Sequence, residues 1–178
     1  MDIFELKVTL RDISPPIWRR VLVRADTRLG RLHEILQVVM GWEDCHLHRF
    51  VIGGAEYGVP DPDFPSDVRS ERNVRLDKVA VEGGVFLYEY DFGDGWAHDV
   101  VVEAILPEGK RAYPACTGGE RACPPEDCGG PFGYARLLEA LADPDDEEYD
   151  DLLEWVGGHF DPEHFSVGSV NRRLPRVR

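Results

Sequence analysis

The chain is short of positive charge. Among its 178 residues, 34 are acidic and 20 are Lys or Arg, a formal net charge of −14. That balance lacks the broad basic surface on which non-specific DNA or RNA binding depends, so a nucleic-acid partner is disfavoured. An anionic membrane surface is disfavoured for the same reason. Long apolar runs are also missing. No stretch approaches the ~18–20 residues a spanning helix needs, and Met1-Asp2-Ile3 does not open a secretory signal. The expectation is a soluble, cytoplasmic protein without a membrane partner.

Compact catalytic signatures are missing as well. There is no phosphate-cradling Gly-rich loop and no dinucleotide fingerprint. The serines are Ser14, Ser66, Ser70, Ser166 and Ser169, and Ser14 precedes two prolines, so it reads as a turn. No spacing supports a Ser/His/Asp or Cys/His/Asn arrangement. The four cysteines, Cys45, Cys116, Cys123 and Cys128, contain no CxxC. In a cytoplasmic protein they read as thiols or metal ligands rather than disulfides.

What the chain does have is 43% hydrophobic residues, enough for a core, and one dense stretch from Phe86 to Glu103. Phe86, Tyr88, Tyr90 and Phe92 alternate, and so do Trp96, His98, Val100 and Val102. Period two with aromatic and β-branched residues predicts two strands. Gly93-Asp94-Gly95 between them is hairpin chemistry. A three-residue loop puts Phe92 opposite Trp96 and Tyr90 opposite His98, with both alternating series on one face. It leaves Asp91 and Asp99 on the other. A two-residue loop, Asp94-Gly95, would mix the faces.

Before this hairpin, Phe4 to Leu10 and Ile17 to Val23 read as two strands around the rigid turn Ser14-Pro15-Pro16. Leu29, Leu32, Ile35, Leu36, Val39 and Met40 have helical spacing, with Thr27 as a cap and Gly41 as the stop. His46 to Ile52 reads as a third strand. Residues 107–133 form a Cys/Pro/Gly-rich irregular loop, and residues 134–178 a helical part. The acidic run from Asp143 to Asp151 suits the positive end of a helix dipole. The whole, residues 1–178, reads as one α+β domain: a β-grasp-like mixed sheet of two hairpins and a crossing helix over 1–106, with additional C-terminal helices.

Several segments together carry a family likeness. They are Pro15 to Arg20, the helix through Leu32-His33 to Trp42, Tyr88 to His98, Ala122 to Gly130 and His159-Phe160-Asp161-Pro162. In these the chain resembles the plasmid Ri open-reading-frame-three-like family, met on bacterial plasmids and as passenger proteins of insertion sequences. The resemblance implies a compact α+β, β-grasp-like domain and a mobile-element context, and no particular reaction. Some members carry a resolvase label. Strand exchange needs a Ser or Tyr nucleophile beside an arginine cluster, and no serine here has that setting.

Four constellations could carry chemistry. Asp91, Asp94, His98 and Asp99 at the hairpin could hold a divalent cation or act as acid and base, against a structural role as turn formers and a core histidine. Cys116, Cys123 and Cys128, with one histidine, could close a zinc site, with Cys45, His46 and His48 lying elsewhere in the chain. Glu126 and Asp127, stiffened by Pro124-Pro125 and freed by Gly129-Gly130, could face His98 across a groove. Trp18, Arg19 and Arg20, near Trp42 and His46, could bind an anion or pair with the protein's own acids. Two functions follow. The first is an interaction module holding a protein partner between the hairpin and the Cys/Pro loop. The second is a metal-dependent hydrolase or nuclease-like enzyme using Asp91, Asp94, His98, Glu126 and Asp127, with zinc or another divalent cation.

Overall fold

The computed structural model describes residues 1–63 and 66–174. Among the described residues there are eight strands: β1 (Asp2–Leu10), β2 (Trp18–Arg24), β3 (His48–Ile52), β4 (Ala55–Gly58), β5 (Arg69–Ser70), β6 (Val85–Tyr90), β7 (Trp96–Pro107) and β8 (Ala115–Glu120). Four α-helices accompany them: α1 (Leu29–Met40), α2 (Gly130–Ala142), α3 (Tyr149–Trp155) and α4 (Val167–Arg173). The strands form one sheet in the order β5-β4-β3-β6-β7-β1-β2-β8. All neighbours are antiparallel except β4 and β5. The α+β class is observed, on a sheet wider than two hairpins and a single strand.

Helix α1 lies across one face of this sheet. Leu29, Leu32, Ile35, Leu36, Val39 and Met40, the residues whose spacing marks the helix, are all buried. They join one core with Leu6, Val8, Val21, Val23, Phe50, Tyr88, Val100 and Val102 from the sheet. Each such side chain contributes about 1.5–3 kcal/mol on leaving water. The helix stops at Gly41, which takes φ 118° and donates its N–H to the Gln37 carbonyl. A left-handed C′ residue favours glycine because it has no Cβ to clash. At the other end the cap position is Arg28 rather than Thr27, and no side chain caps it.

The long segment after residue 107 is not wholly irregular. It supplies β8, which pairs with β2 at the sheet edge. Arg19 explains why that edge is ordered. Its guanidinium is 1% exposed and donates to the carbonyls of Trp18, Val39, Met40, Glu120 and Arg121. It also stacks over the Phe165 ring at 4.0 Å. Burial lowers its pKa to about 10, so it stays charged at neutral pH. Of the two readings of Arg19 and Arg20, an exposed anion reader does not fit Arg19, which is buried on backbone carbonyls. Arg20 remains on the surface and pairs with Glu103 at 2.5 Å. On the inner side of β8, Asn171 clamps the Cys116 backbone through both N–H and C=O.

The β6–β7 hairpin keeps its expected face and changes its register. Tyr90 pairs with Trp96, and Tyr88 with His98. The loop therefore runs from Asp91 to Gly95, two residues longer than the three-residue turn. Parity is preserved, so Tyr88, Tyr90, Trp96 and His98 still share the buried face. Phe92 leaves the sheet and is 53% exposed, over the Arg49 guanidinium. Asp91, which the alternation puts on the face opposite the aromatics, turns inward with φ 54° and is 7% exposed.

Candidate metal centre

Three connections meet at one end of the sheet: the α1–β3 loop with Asp44, Cys45 and His46, the hairpin loop with Asp91, and the run into α2 with Glu126 and Asp127. Asp94 ties two of them together, because its Oδ2 accepts the Gly129 N–H at 3.0 Å. The approach is close. A Cβ on Gly130 would stand 2.4 Å from the Asp94 carbonyl oxygen.

His46 is at the centre. Its Nε2 lies 3.1 Å from Asp127 Oδ1, 3.7 Å from Asp91 Oδ2 and 3.8 Å from Glu126 Oε2. That nitrogen is buried and makes no hydrogen bond, and Glu126 Oε2 is likewise buried without a partner. Among the described residues, ligating atoms converge within 4.8 Å in two groups, Cys45–His46–Glu126 and His46–Asp91–Asp127. Both contain His46.

Two of the carboxylates share one pattern: one oxygen held by the frame, the other free and facing His46. Asp91 Oδ1 accepts the N–H of Gly93 at 2.9 Å and of Asp94 at 3.3 Å. Glu126 Oε1 accepts the Glu43 N–H at 2.7 Å and the Tyr90 hydroxyl at 3.0 Å. Burial pushes the Tyr90 pKa up, which keeps the hydroxyl a donor to Glu126. Tyr90 also receives the Cys45 N–H at 3.1 Å and packs edge-on against the His46 ring. Such outer contacts orient ligating groups in metal sites. Asp44, Asp91 and Asp127 all have left-handed φ, between 54° and 58°, and sparsely populated backbone of this kind concentrates at functional sites.

His98 does not belong to this cluster. It is fully buried, its Nε2 accepts the Trp42 indole N–H at 3.1 Å, and its Nδ1 lies 3.1 Å from the Tyr88 carbonyl. Those partners fix a neutral ring protonated on Nδ1. Burial lowers its pKa to about 4. No nitrogen is left for a metal or a substrate, so of the two readings of His98 the core histidine bonded to a carbonyl fits and the ligand or base does not. Asp99 pairs with Arg11 on the surface. The cysteine set is corrected too. Cys116, Cys123 and Cys128 form no convergent group. Burial raises the pKa of all three, that of Cys128 to about 12. Of the sequence candidates, Asp91 and Asp127 converge with His46 in one group, Glu126 converges with His46 and Cys45 in the other, and Asp94 braces the loops that carry them. The hairpin and the Cys/Pro loop, between which a groove was expected, touch at the Asp94–Gly129 contact.

Sequence segments and geometry both agree with known proteins. The family described as plasmid pRiA4b ORF-3-like protein matches residues 2–169. This chain belongs to that family. It is 41% identical over 158 residues to the uncharacterized protein y4hQ of Sinorhizobium fredii (strain NBRC 101917 / NGR234), covering 88% of this chain and 81% of that one. It is also similar to the crystal structure of the protein of unknown function MM3350 from Methanosarcina mazei Go1. There the TM-score is 0.87 and the identity 39%, over 94% of this chain and 96% of the other. Among the described residues, no helix is long and apolar enough to cross a membrane.

Proposed function

We propose that this member of the plasmid pRiA4b ORF-3-like family binds one divalent metal ion at His46 Nε2, with carboxylate ligands drawn from Asp91, Glu126 and Asp127, and works as a metal-dependent hydrolytic centre. The observation that carries this reading is the pair of buried, unpartnered atoms, His46 Nε2 and Glu126 Oε2, facing each other among acidic groups. Leaving such atoms unsatisfied costs about 1–3 kcal/mol each, and a cation between them would satisfy both. A donor set of one imidazole and carboxylates suits Zn²⁺ or Mn²⁺. Asp127 is 72% exposed, so one side of the centre faces solvent. The ligating atoms fall into two overlapping sets of three, Cys45–His46–Glu126 and His46–Asp91–Asp127, so an ion would take three of them and keep a position for water, as catalytic zinc sites do where structural ones are closed by four protein ligands. The ion would supply acidification of a bound water and polarisation of a substrate oxygen.

The test is calorimetric titration of Zn²⁺ and Mn²⁺ into chelator-treated protein. One site per chain is expected. His46→Ala should weaken it by more than about 100-fold, since loss of even an outer contact costs 10–100-fold. Cys116→Ser, which touches only the alternative cysteine set, should leave it intact. A flat wild-type titration, or a His46→Ala protein that binds as well as wild type, overturns the reading.

A second reading, a module that docks a protein partner, is supported by Phe132, which is 91% exposed in the first turn of α2. An aromatic ring left in water at that level is an anchor of the kind interfaces use. Loss of partner capture in Phe132→Ser with metal binding unchanged would separate the two.

A further inference from the structure

Next to the centre is a cleft of about 300 Å³, bounded by Asp127 and Cys128 on one side and by Leu137 of α2 and Leu152 and Trp155 of α3 on the other. Asp127 is common to both. Its Oδ1 faces His46, and its exposed side chain forms the edge of the cleft. Trp155 is 49% exposed although it belongs to a helix with no buried residue. The volume is at the lower end of small-molecule pockets and matches one ring-bearing group.

The polar groups at the rim are already engaged. Arg136 donates to both oxygens of Asp146 and to Glu148 Oε2. Its pKa is raised by those bonds, first among them the one to Asp146. The guanidinium is therefore committed to the protein's own acids and offers no free cation to a ligand. What remains facing the cleft is apolar: the Leu137, Leu152 and Trp155 side chains. A charged substrate tail would find no partner there, and a second carboxylate would meet Asp127 and Glu148.

We propose that this cleft is the subsite for an uncharged, apolar, ring-sized group of the substrate, whose polar reacting group lies at the His46 centre. The inference rests on the metal reading above and adds the substrate class, an uncharged aryl or alkyl derivative of a hydrolysable polar group. Trp155 and Leu152 act as specificity-determining residues. Asp127 marks the boundary between reacting group and tail.

Hydroxamates separate the two parts, because the hydroxamate head binds a metal ion while the tail is free to vary. Acetohydroxamate and 4-phenylbutanohydroxamate are titrated into the zinc-loaded full chain by calorimetry, beside zinc alone into the chelator-treated chain. The expected result is that the phenyl tail improves affinity about tenfold, the scale of burying one ring. Trp155→Ala, a change at a half-exposed position, should reduce that ratio to about one and leave acetohydroxamate binding unchanged. Zinc binding with equal affinity for the two hydroxamates, or a tail advantage that survives both Trp155→Ala and Leu152→Ser, overturns the subsite and leaves the metal centre standing. Zinc binding with no hydroxamate binding overturns the open side and the subsite with it. A flat zinc titration removes the centre and the proposal together.

Discussion

His98, packed against Tyr88 and Trp42, and His46, packed against Tyr90, illustrate opposite uses of one side chain. His98 is enclosed by the sheet face, and each of its ring nitrogens has a partner of the right kind. His46 has a half-buried ring whose Nε2 faces three acidic side chains and bonds to none. A satisfied histidine in a core is architecture. An unsatisfied one among carboxylates is an opening for a ligand. The sharpest way to break the comparison is to remove each ring. His98→Ala leaves a cavity and strands both the Trp42 N–H and the Tyr88 carbonyl. It should cost about 3 kcal/mol in urea unfolding, with metal affinity per folded chain unchanged. His46→Ala should cost under about 1 kcal/mol without metal, because no hydrogen bond is lost, and should abolish metal binding. If the two variants behave alike in both measurements, the distinction between them fails.

Acid gives a second, smaller contrast on the same ring. Burial holds the folded His98 near pKa 4, while an unfolded histidine titrates near 6.5. Between those values the unfolded chain takes up the proton and the folded chain does not. Stability from this group is therefore complete above about pH 6.5 and declines as pH falls towards 4. From pH 7 to pH 5 the loss should be about 2 kcal/mol. Burial lowers His33 as well, which acts in the same direction. Urea midpoints at the two pH values check this. A flat profile would mean that His98 is accessible to protons in the folded state, and its description as sealed architecture would be wrong.

Legibility differed between the two histidines for a physical reason. Alternation in Tyr88, Tyr90, Trp96 and His98 is a local signal, and it gave the correct buried face even with the loop length off by two. Helix α1 and its Gly41 stop were visible for the same reason, since periodicity and a C-terminal glycine act within a few residues. Strand β8 was not visible. Its Thr117-Gly118-Gly119-Glu120 run carries little strand signal, and it is held by β2 and the distant Arg19 guanidinium. A Cβ at Gly119 would come within 2.6 Å of Phe165, so close packing excludes the β-branched residues that mark a strand. The centre was half visible. Asp91, Glu126 and Asp127 stood out as acids in stiff or turning backbone, and family segments quoted from the sequence include all three. His46 did not stand out, because its significance lies in what surrounds Nε2, and those groups come from three separate loops. The Cys45-His46 pair beside a helix stop was the available hint. The inward turn of Asp91 depends on a left-handed φ that alternation cannot register.

The finest test concerns Glu126 and has the opposite sign to the others. Its Oε1 accepts from the Glu43 N–H and from Tyr90, bonds that a glutamine carbonyl would keep. Its Oε2 is buried, unpartnered and directed at His46 Nε2. In Glu126→Gln an N–H₂ group replaces that oxygen and can donate to the imidazole. The change also removes one negative charge from a cluster in a chain of net charge −14. Metal-free Glu126→Gln should therefore be more stable than wild type, by about 1 kcal/mol, the worth of one hydrogen bond. The same variant should lose most of the rise in melting temperature that Zn²⁺ gives wild type, because a ligand that binds only the folded state stabilises in proportion to its affinity. Stabilisation without metal and loss of response to metal, in one substitution, is the pattern of a site whose apo geometry is kept unfavourable for a cation. If Glu126→Gln instead destabilises the apo protein, the carboxylate is a structural acceptor, and His46 joins His98 as part of the frame.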